Sequence, residues 1–260
     1  MTNRMLELND GAFAIEIFEA GKGTPLLYLH GAGGHMPKDR FLAALCQHFH
    51  VHAPLLPGYG NSTGEENLRD MLDFALLGHD IMDALGLEDQ IVVGHSMGGM
   101  IAAEMAAIAP HDITRLALIS PAGLWLDEHP IPDLFSKLPF ELPELLFHDV
   151  ELGKELMTAG LDFGDPEFLK NFLVINARRL GTAGKILFPI PERGLSQRLY
   201  RIRARTKVIW GESDKLIVPH YADAFVGAIA GAELVLVPDA GHLVTHERPD
   251  EVIAAISALS

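Results

Sequence analysis

The stretch Ile91-Val92-Val93-Gly94-His95-Ser96-Met97-Gly98-Gly99 decides the fold of this 260-residue chain. Its first residues are typical of a buried β-strand, and the run from Met97 to Ala109 is typical of a helix that Pro110 ends. A serine in the pattern G-x-S-x-G at a strand-to-helix turn indicates a nucleophile held on a sharp, strained turn. The glycines leave room where two backbone segments approach closely, and the helix N-terminus favours a developing negative charge. The alternative is a glycine-rich turn without chemistry.

The same alternation of strand and helix extends to both sides of this turn. Apolar runs predict strands at Pro25–His30, Val51–Leu55, Gln90–Val93, Ile113–Ile119, Lys207–Trp210 and Glu233–Val237. Helical spacing of apolar residues predicts helices at Phe41–His48, Leu68–Leu85, Met97–Ala109, Tyr221–Ile229 and Pro249–Leu259. Together they predict an α/β fold with a mostly parallel sheet and helices on both faces.

Residues 121–200 break this alternation. They are rich in helix formers and prolines, with helical pieces expected at Asp133–Leu138, Leu142–Phe147, Glu151–Thr158 and Glu167–Leu180. We therefore expect a core of residues 1–120 and 201–260, and a helical cap of residues 121–200 over the carboxyl edge of the sheet. A poorly ordered surface excursion is the alternative, but many bulky apolar residues argue against it.

A serine nucleophile needs a base, and the base needs an acid that fixes its tautomer. His242 follows the last predicted strand in a loop that should reach the carboxyl edge of the sheet, and His246 is its local rival. Asp214 follows the preceding strand and is the expected acid, with Glu212 and Asp239 as substitutes.

Two backbone N–H groups are needed to stabilise an oxyanion. One is expected from Met97, directly after Ser96, and the other from the loop that follows the strand ending at His30. In that loop Ala32 is the first choice and Gly33 the second. A phosphate-binding glycine loop is disfavoured, because no Lys-Ser/Thr or G-x-G-x-x-G spacing follows.

These residues together resemble the α/β-hydrolase superfamily, in the branch with a helical cap between the sixth and seventh strands. The resemblance rests on the segments HGAGG, PGYGNS, GHSMGG, WGESD and PDAGH, and it covers nearly all of the chain outside the cap. It implies an eight-stranded sheet, a Ser–Asp–His triad in that chain order, no cofactor, and a pocket between core and cap. Epoxide hydrolases and dehalogenases of this superfamily carry Asp at the nucleophile position, and Ser96 argues against both.

The resemblance implies hydrolysis of an ester, thioester or lactone through an acyl-enzyme. Meta-cleavage-product C–C hydrolases usually carry a longer H-G-x-G-P-G type loop and a cap arginine. The segment HGAGGH of this chain fits that pattern poorly, so these hydrolases rank lower than esterases. Acyl transfer by the same triad and a catalytically slow ligand receptor are the remaining alternatives. The aromatic residues of the cap predict an apolar pocket, with the candidate lining residues His95, Phe135, Phe140, Phe147 and Phe172.

Composition limits the remaining function classes. The formal net charge is −15, which disfavours nucleic acid as a partner. The single cysteine cannot form an internal disulfide, and no leader or spanning segment is evident, so a cytoplasmic enzyme is expected. The expected partner is a small-molecule substrate rather than a membrane, and a homodimer stays open. No metal site is predicted, because no carboxylate lies at metal-ligand spacing from His35, His48, His50, His52 or His79.

Overall fold

The computed structural model describes residues 2–158 and 164–260, so residues 159–163 of the predicted cap lie outside the described residues. Eight strands form one sheet in the order β1-β2-β4-β3-β5-β6-β7-β8. The strands are β1 Thr2–Leu8, β2 Phe13–Ala20, β3 Pro25–Leu29, β4 His50–Pro54, β5 Ile91–His95, β6 Arg115–Ile119, β7 Arg205–Gly211 and β8 Glu233–Val237. The predicted eight-stranded, mostly parallel sheet is confirmed.

Nine α-helices are formed by the described residues. They are α1 Arg40–Leu45, α2 Met71–Ala84, α3 Met97–Ile108, α4 Leu142–Leu146, α5 Val150–Thr158, α6 Pro166–Leu187, α7 His220–Ala228, α8 Val244–Glu247 and α9 Pro249–Ser257. Short 3₁₀ turns lie at Glu65–Asn67, Leu134–Ser136, Pro139–Glu141, Leu195–Gln197 and Leu199–Arg201.

The topology brings three loops to one edge of the sheet. Strands β4, β3, β5, β6, β7 and β8 run parallel, whereas β1 and β2 form an antiparallel hairpin that pairs with β4. The carboxyl ends of parallel strands share an edge, which is where ligands bind in open α/β sheets. The segments that follow β5, β7 and β8 carry Ser96, Asp214 and His242, so these residues converge there.

Each face of the sheet packs against its own helices. Val92 of β5 belongs to a core cluster with residues of α2, α3 and α7, while its neighbours Ile91 and Val93 pack with α1 and α9. Side chains of a strand alternate between the two faces, and both faces are apolar here because both are covered.

The hairpin of β1 and β2 was not among the predicted strands. Its sequence signal is present, since Phe13, Ile15 and Ile17 alternate and are buried on β2. The turn between the strands holds Asn9 and Asp10 at positive φ, followed by Gly11, and Asn and Asp are the non-glycine residues that tolerate this conformation best.

The residues between β6 and β7 form the helical insertion, which we define as residues 120–204. It includes α4, α5 and α6, and its described part contains no strand. Helix α6 continues to Leu187, beyond the predicted end at Leu180, because Thr182, Ala183 and Ile186 are buried against the core. Two contacts fix this region: Lys185 Nζ donates to Leu68 O at 2.8 Å, and Arg198 Nε donates to the buried carboxylate of Glu104 at 2.8 Å.

Candidate active site

Ser96 lies between β5 and α3 in a strained backbone conformation, with φ 53° and ψ −114°. The surrounding backbone fixes it, because Ser96 N donates to Ile119 O at 2.9 Å and Ser96 O accepts from Met100 N and Ala122 N at 3.0 Å each. Strain of this kind persists only where neighbouring structure over-determines it, and it is concentrated at functional sites.

The glycines of the motif are required by close backbone contact. A Cβ on Gly94 would lie 2.3 Å from Gly98 O, and one on Gly98 would lie 2.1 Å from Leu29 O. No side chain fits at either position, so β5, α3 and β3 can approach only with glycine there. These close contacts explain why the motif has glycine at both positions.

Three side chains form a hydrogen-bonded chain at the carboxyl edge of the sheet. His242 Nε2 lies 2.9 Å from Ser96 Oγ, and His242 Nδ1 lies 2.8 Å from Asp214 Oδ2. All three residues are buried, with exposed fractions of 7% for Ser96, 3% for His242 and 3% for Asp214. A carboxylate oxygen only accepts, so Nδ1 carries the proton and Nε2 is free to accept from the serine hydroxyl.

The backbone that follows β7 orients the carboxylate of Asp214. Its Oδ1 accepts the N–H groups of Leu216 and Ile217, both at 2.9 Å, which leaves Oδ2 directed at His242. Asp214 thus caps a local turn and holds the imidazole at the same time.

The loop that carries His242 is held from two sides. Glu247 Oε2 accepts the N–H of Gly241 at 2.6 Å, and its Oε1 accepts the N–H of Asp149, at the start of α5, at 2.8 Å. On the other side, His95 Nε2 lies 2.9 Å from the carbonyl oxygen of His242. Burial lowers the pKa of His95 to about 3, so its ring is neutral and donates through Nε2.

The structure brings His242, and not His246, to Ser96. His246 Nε2 lies 3.4 Å from Asp39 Oδ1, and its Nδ1 lies 2.9 Å from Thr245 Oγ1. Its ring contacts Phe41 of α1, with ring centroids 6.4 Å apart. These partners place His246 under α1, on the face of the sheet covered by α1 and α9.

The loop after β3 lies directly beside the serine. A Cβ on Gly31 would be 3.3 Å from Ser96 Cβ, and the adjoining Ala32 is buried. His30 links this loop to the segment after β4, because its Nδ1 lies 2.7 Å from Gly31 O and its Nε2 accepts from Leu56 N at 3.0 Å. Burial lowers the pKa of His30 to about 3, which matches a neutral ring with one donor and one acceptor.

The helical insertion also fastens this loop. Tyr59 Oη lies 3.0 Å from Ala32 O and 3.2 Å from Arg179 O on α6, and Arg179 Nη1 donates to Gly33 O at 3.1 Å. Gly33 itself is exposed.

Met97 directly follows Ser96 and is the first residue of α3, where a backbone N–H has no acceptor within the helix.

A cavity of about 80 Å³ opens at Ser96. Most of the side chains in its wall are apolar, and they come largely from the two ends of the helical insertion. The described lining residues are Ser96, Ala122, Trp125, Ile131, Pro132, Asp133, Leu134, Phe135, Leu187, Pro189, Pro191, Leu216 and Ile217.

Of the pocket residues predicted from sequence, the structure brings only Phe135 into this described wall. Phe140 is 63% exposed, and Phe147 is fully buried against Gly153. Phe172 lies on α6 with its ring centroid 6.0 Å from that of Phe168, and His95 lies behind the His242 backbone. The aromatic residues of the insertion did not identify this wall, because most of it is formed by aliphatic side chains and prolines. The prolines at positions 132, 189 and 191 are the sequence feature that could have indicated it.

Three of the histidines expected to lack a carboxylate partner have one, so that expectation was wrong. His79 Nδ1 lies 3.9 Å from Asp112 Oδ2, and the other two share one carboxylate. His50 Nε2 lies 3.2 Å from Glu19 Oε1, and His52 Nδ1 lies 3.9 Å from Glu19 Oε2. Glu19 is remote in sequence, and the antiparallel pairing of β2 with β4 brings it there. This group belongs to the opposite edge of the sheet from Ser96.

Comparison with known proteins agrees with this geometry. The sequence profile of the "Alpha/beta hydrolase family" matches residues 26–255. The chain belongs to this family. Among the α/β-hydrolases, it is 29% identical over 262 residues to 2-hydroxy-6-oxo-6-phenylhexa-2,4-dienoate hydrolase from Comamonas testosteroni, covering 92% of this chain and 88% of the relative. It is 31% identical over 237 residues to Lipase 3 from Moraxella sp. (strain TA144), covering 85% and 72%.

Solved structures of α/β-hydrolases share the fold over the whole chain. A bacterial membrane phospholipase A superposes with a TM-score of 0.81 at 23% identity, covering 99% of this chain and 85% of that protein. A meta-cleavage product hydrolase, CumD, superposes with a TM-score of 0.76 at 20% identity, covering 98% and 97%. These structures show the shared fold, and the family match together with the sequence relatives supports a hydrolase enzyme of the α/β type. No helix among the described residues is both long and apolar enough to cross a membrane.

Proposed function

We propose that this α/β-hydrolase is a serine hydrolase that cleaves an ester, thioester or lactone of a small apolar substrate through an acyl-enzyme. The observation that carries the proposal is the buried hydrogen-bonded chain from Asp214 through His242 to Ser96, with distances of 2.8 Å and 2.9 Å. A serine hydroxyl becomes an effective nucleophile only with such a base in contact.

The reaction follows from the positions of the protons. His242 Nε2 takes the hydroxyl proton as Ser96 Oγ bonds to the acyl carbon, and Asp214 stabilises the imidazolium that forms. Collapse of the tetrahedral intermediate breaks the bond to the leaving alcohol or thiol, which receives the proton from His242. A water molecule then gives its proton to His242 and attacks the acyl carbon, and the acid is released as Oγ recovers the proton.

The oxyanion of each tetrahedral intermediate needs donors that are already in place. We assign the N–H of Met97 as the first donor, because it directly follows Ser96 at the start of α3. We assign Ala32 as the second and Gly33 as the alternative, because Ala32 is buried and directly follows Gly31, which lies next to Ser96, whereas Gly33 is exposed. The contacts of Tyr59 and Arg179 with this loop keep it rigid without using those N–H groups.

The cavity wall supports a neutral acyl group of limited length. Asp133 is the only ionisable side chain among its described lining residues, so an anionic substrate meets no cation there. Each methylene that fills the apolar wall gains about 0.8 kcal/mol, or roughly fourfold in kcat/KM. The gain ends when a cavity of about 80 Å³ is filled, so short acyl chains are favoured.

C–C bond hydrolysis is the second candidate, since relatives with 29% identity are named 2-hydroxy-6-oxo-6-phenylhexa-2,4-dienoate hydrolase. Such a substrate carries a carboxylate, and the absence of a cation from the described wall favours the ester reaction. The deciding experiment measures kcat/KM for p-nitrophenyl esters from C2 to C12, for lactones, and for that dienoate. A short-chain ester optimum supports the proposal, and a preference for the dienoate replaces it with C–C hydrolysis.

Acyl transfer uses the same three residues and differs only in the acceptor. Adding alcohols of rising size to the ester assay separates the two reactions by product analysis. Hydrolysis predicts free acid as the main product at every alcohol concentration, whereas a dominant new ester would assign the chain to acyl transfer.

A further inference from the structure

Three side chains that can bind a metal ion meet on one face of the sheet, at the edge away from Ser96. Glu19 of β2 lies directly opposite His52 of β4 in the antiparallel register. His50 lies two residues before His52 on the same strand, so both imidazoles point to the same face. The strand pairing therefore collects two imidazoles and a carboxylate that are far apart in the sequence.

The distances already approach those of a metal site. One nitrogen of each histidine and one carboxylate oxygen of Glu19 all lie within 4.8 Å of one another. His50 Nε2 is 3.2 Å from Oε1, and His52 Nδ1 is 3.9 Å from Oε2. Tetrahedral ligands at about 2.0–2.2 Å from a zinc ion are themselves about 3.4 Å apart. Small side-chain rotations bring the three atoms to that spacing.

A ring nitrogen of His52 lacks a hydrogen-bond partner within the described part of the chain, which is a second observation in favour of a bound ion. The residue is 4% exposed, and its Nδ1 is a buried polar atom without a hydrogen-bond partner among the described residues. Buried polar atoms in native proteins are nearly always bonded, and an exception calls for an explanation such as a bound ion. Nδ1 lies 3.9 Å from Glu19 Oε2, so a cation held between these two atoms would supply the missing partner.

We propose that Glu19, His50 and His52 form a zinc site of the two-histidine, one-carboxylate type, completed by water. Imidazole and carboxylate are ligands that Zn²⁺ binds, and three protein ligands leave the fourth position open. The side chains of Glu19 and His50 are 24% and 36% exposed, which gives the ion a path from solvent. The proposal is independent of the ester hydrolysis assigned to Ser96.

Arg4 of β1 competes with the ion for the same carboxylate. Its Nε donates to Glu19 Oε2 at 3.0 Å, and its side chain is 46% exposed, so it can turn into solvent. A bound cation displaces this guanidinium by like-charge repulsion and by taking the oxygen it uses. Removing the charge of Arg4 is therefore expected to strengthen zinc binding, which no purely structural role of the cluster would predict.

The site joins β2 to β4, so zinc is expected to stabilise the fold rather than to act in catalysis. Binding to the native state alone raises Tm, by about 5 °C or more with zinc at about a hundred times its Kd. His50 begins β4 at its amino end, whereas Ser96 follows the carboxyl end of β5, so the two sites are on opposite edges of the sheet.

The test is calorimetric titration of chelator-treated protein with ZnCl₂, together with thermal unfolding with and without zinc. The wild type is expected to bind one zinc per chain at this site, and His50→Ala and His52→Gln to weaken it at least about tenfold. Arg4→Gln is expected to tighten binding. His48→Ala is the matched control, since His48 is an exposed histidine two residues before His50 and outside the cluster.

Several results would overturn the proposal. Binding by His50→Ala with the wild-type affinity would do so, as would an equal loss in His48→Ala or weaker binding in Arg4→Gln. If His52→Gln fails to fold by circular dichroism, the half-exposed positions His50 and Arg4 decide the outcome. Co²⁺ provides a second readout, because a tetrahedral site gives strong visible absorption that His50→Ala must lose.

Discussion

The carboxylate of Glu247 accepts the backbone N–H of Gly241 at 2.6 Å, immediately before His242 in the chain. The other oxygen of Glu247 accepts the N–H of Asp149 at the start of α5. One buried side chain therefore ties the loop carrying the proposed base to the helical insertion. The position of His242 depends on a residue that takes no part in proton transfer.

Glu247→Ala is expected to lower stability and kcat together. It leaves the buried N–H of Gly241 without an acceptor, which costs about 1–3 kcal/mol, and it removes the acceptor of the more accessible N–H of Asp149. Urea unfolding and ester hydrolysis measure the two effects. Glu247→Gln keeps one acceptor oxygen and should lose about half as much stability, while the exposed Glu251→Gln on α9 serves as the control. Equal free energies of unfolding for Glu247→Ala and the wild type would contradict a stabilising role for these two hydrogen bonds.

His242→Gln is expected to abolish turnover, since Ser96 then has no base. The pH–rate profile adds a second check, because a general base must be neutral and activity falls as it is protonated. His95 and His30 cannot produce an acid limb near neutral pH, because burial holds the pKa of each at about 3. The limb should therefore survive in His95→Gln, and it should also survive in His246→Gln because His246 contacts Asp39 and Thr245 rather than Ser96. Its loss in His246→Gln would show that the wrong base has been assigned.

Stability is expected to fall as the pH drops from about 6.5 to 4. His30 and His95 have folded-state pKa values of about 3, below the unfolded value of 6.5. The unfolded chain thus binds more protons in this window, and each histidine contributes a loss of up to about 1.4 kcal/mol per pH unit. Urea unfolding at several pH values measures the slope. His95→Gln should reduce it by about one proton, and a flat profile in the wild type would contradict these buried neutral rings.

Much of the fold was predictable because it depends on local patterns. β8 was predicted at its observed bounds, and the helix after Ser96 within one residue of its end, since apolar runs and the Pro110 stop are local signals. The meeting of Ser96, His242 and Asp214 was also predictable from their positions after strands, because the fold class fixes where such loops meet. The cavity wall was not predictable, because which residues of the insertion face Ser96 depends on how α6 and its flanking turns pack. The contact of Glu19 with His50 and His52 depends likewise on the pairing of β2 and β4, which no spacing along the chain reveals.

Leu134→Ala is expected to move the acyl-chain optimum to longer esters. Leu134 lines the cavity at Ser96, and removing its side chain enlarges the space that the acyl group fills. The measurement is kcat/KM across C2 to C12 esters. Phe140→Ala is the matched control, because Phe140 belongs to the same insertion but is exposed. An unchanged optimum in Leu134→Ala, or an equal shift in Phe140→Ala, would show that this cavity does not set the acyl-chain selectivity.

The central claim is that Ser96 bonds covalently to the acyl group. The most direct measurement is peptide mass mapping after reaction with an irreversible serine-directed organophosphate, with Ser96→Ala treated in parallel. We expect one adduct per chain, located on Ser96, together with complete loss of ester hydrolysis. Ser96→Ala should fold normally, take up no label and lose several orders of magnitude in kcat. Labelling at another serine, or hydrolysis at the wild-type rate by folded Ser96→Ala, would contradict the claim.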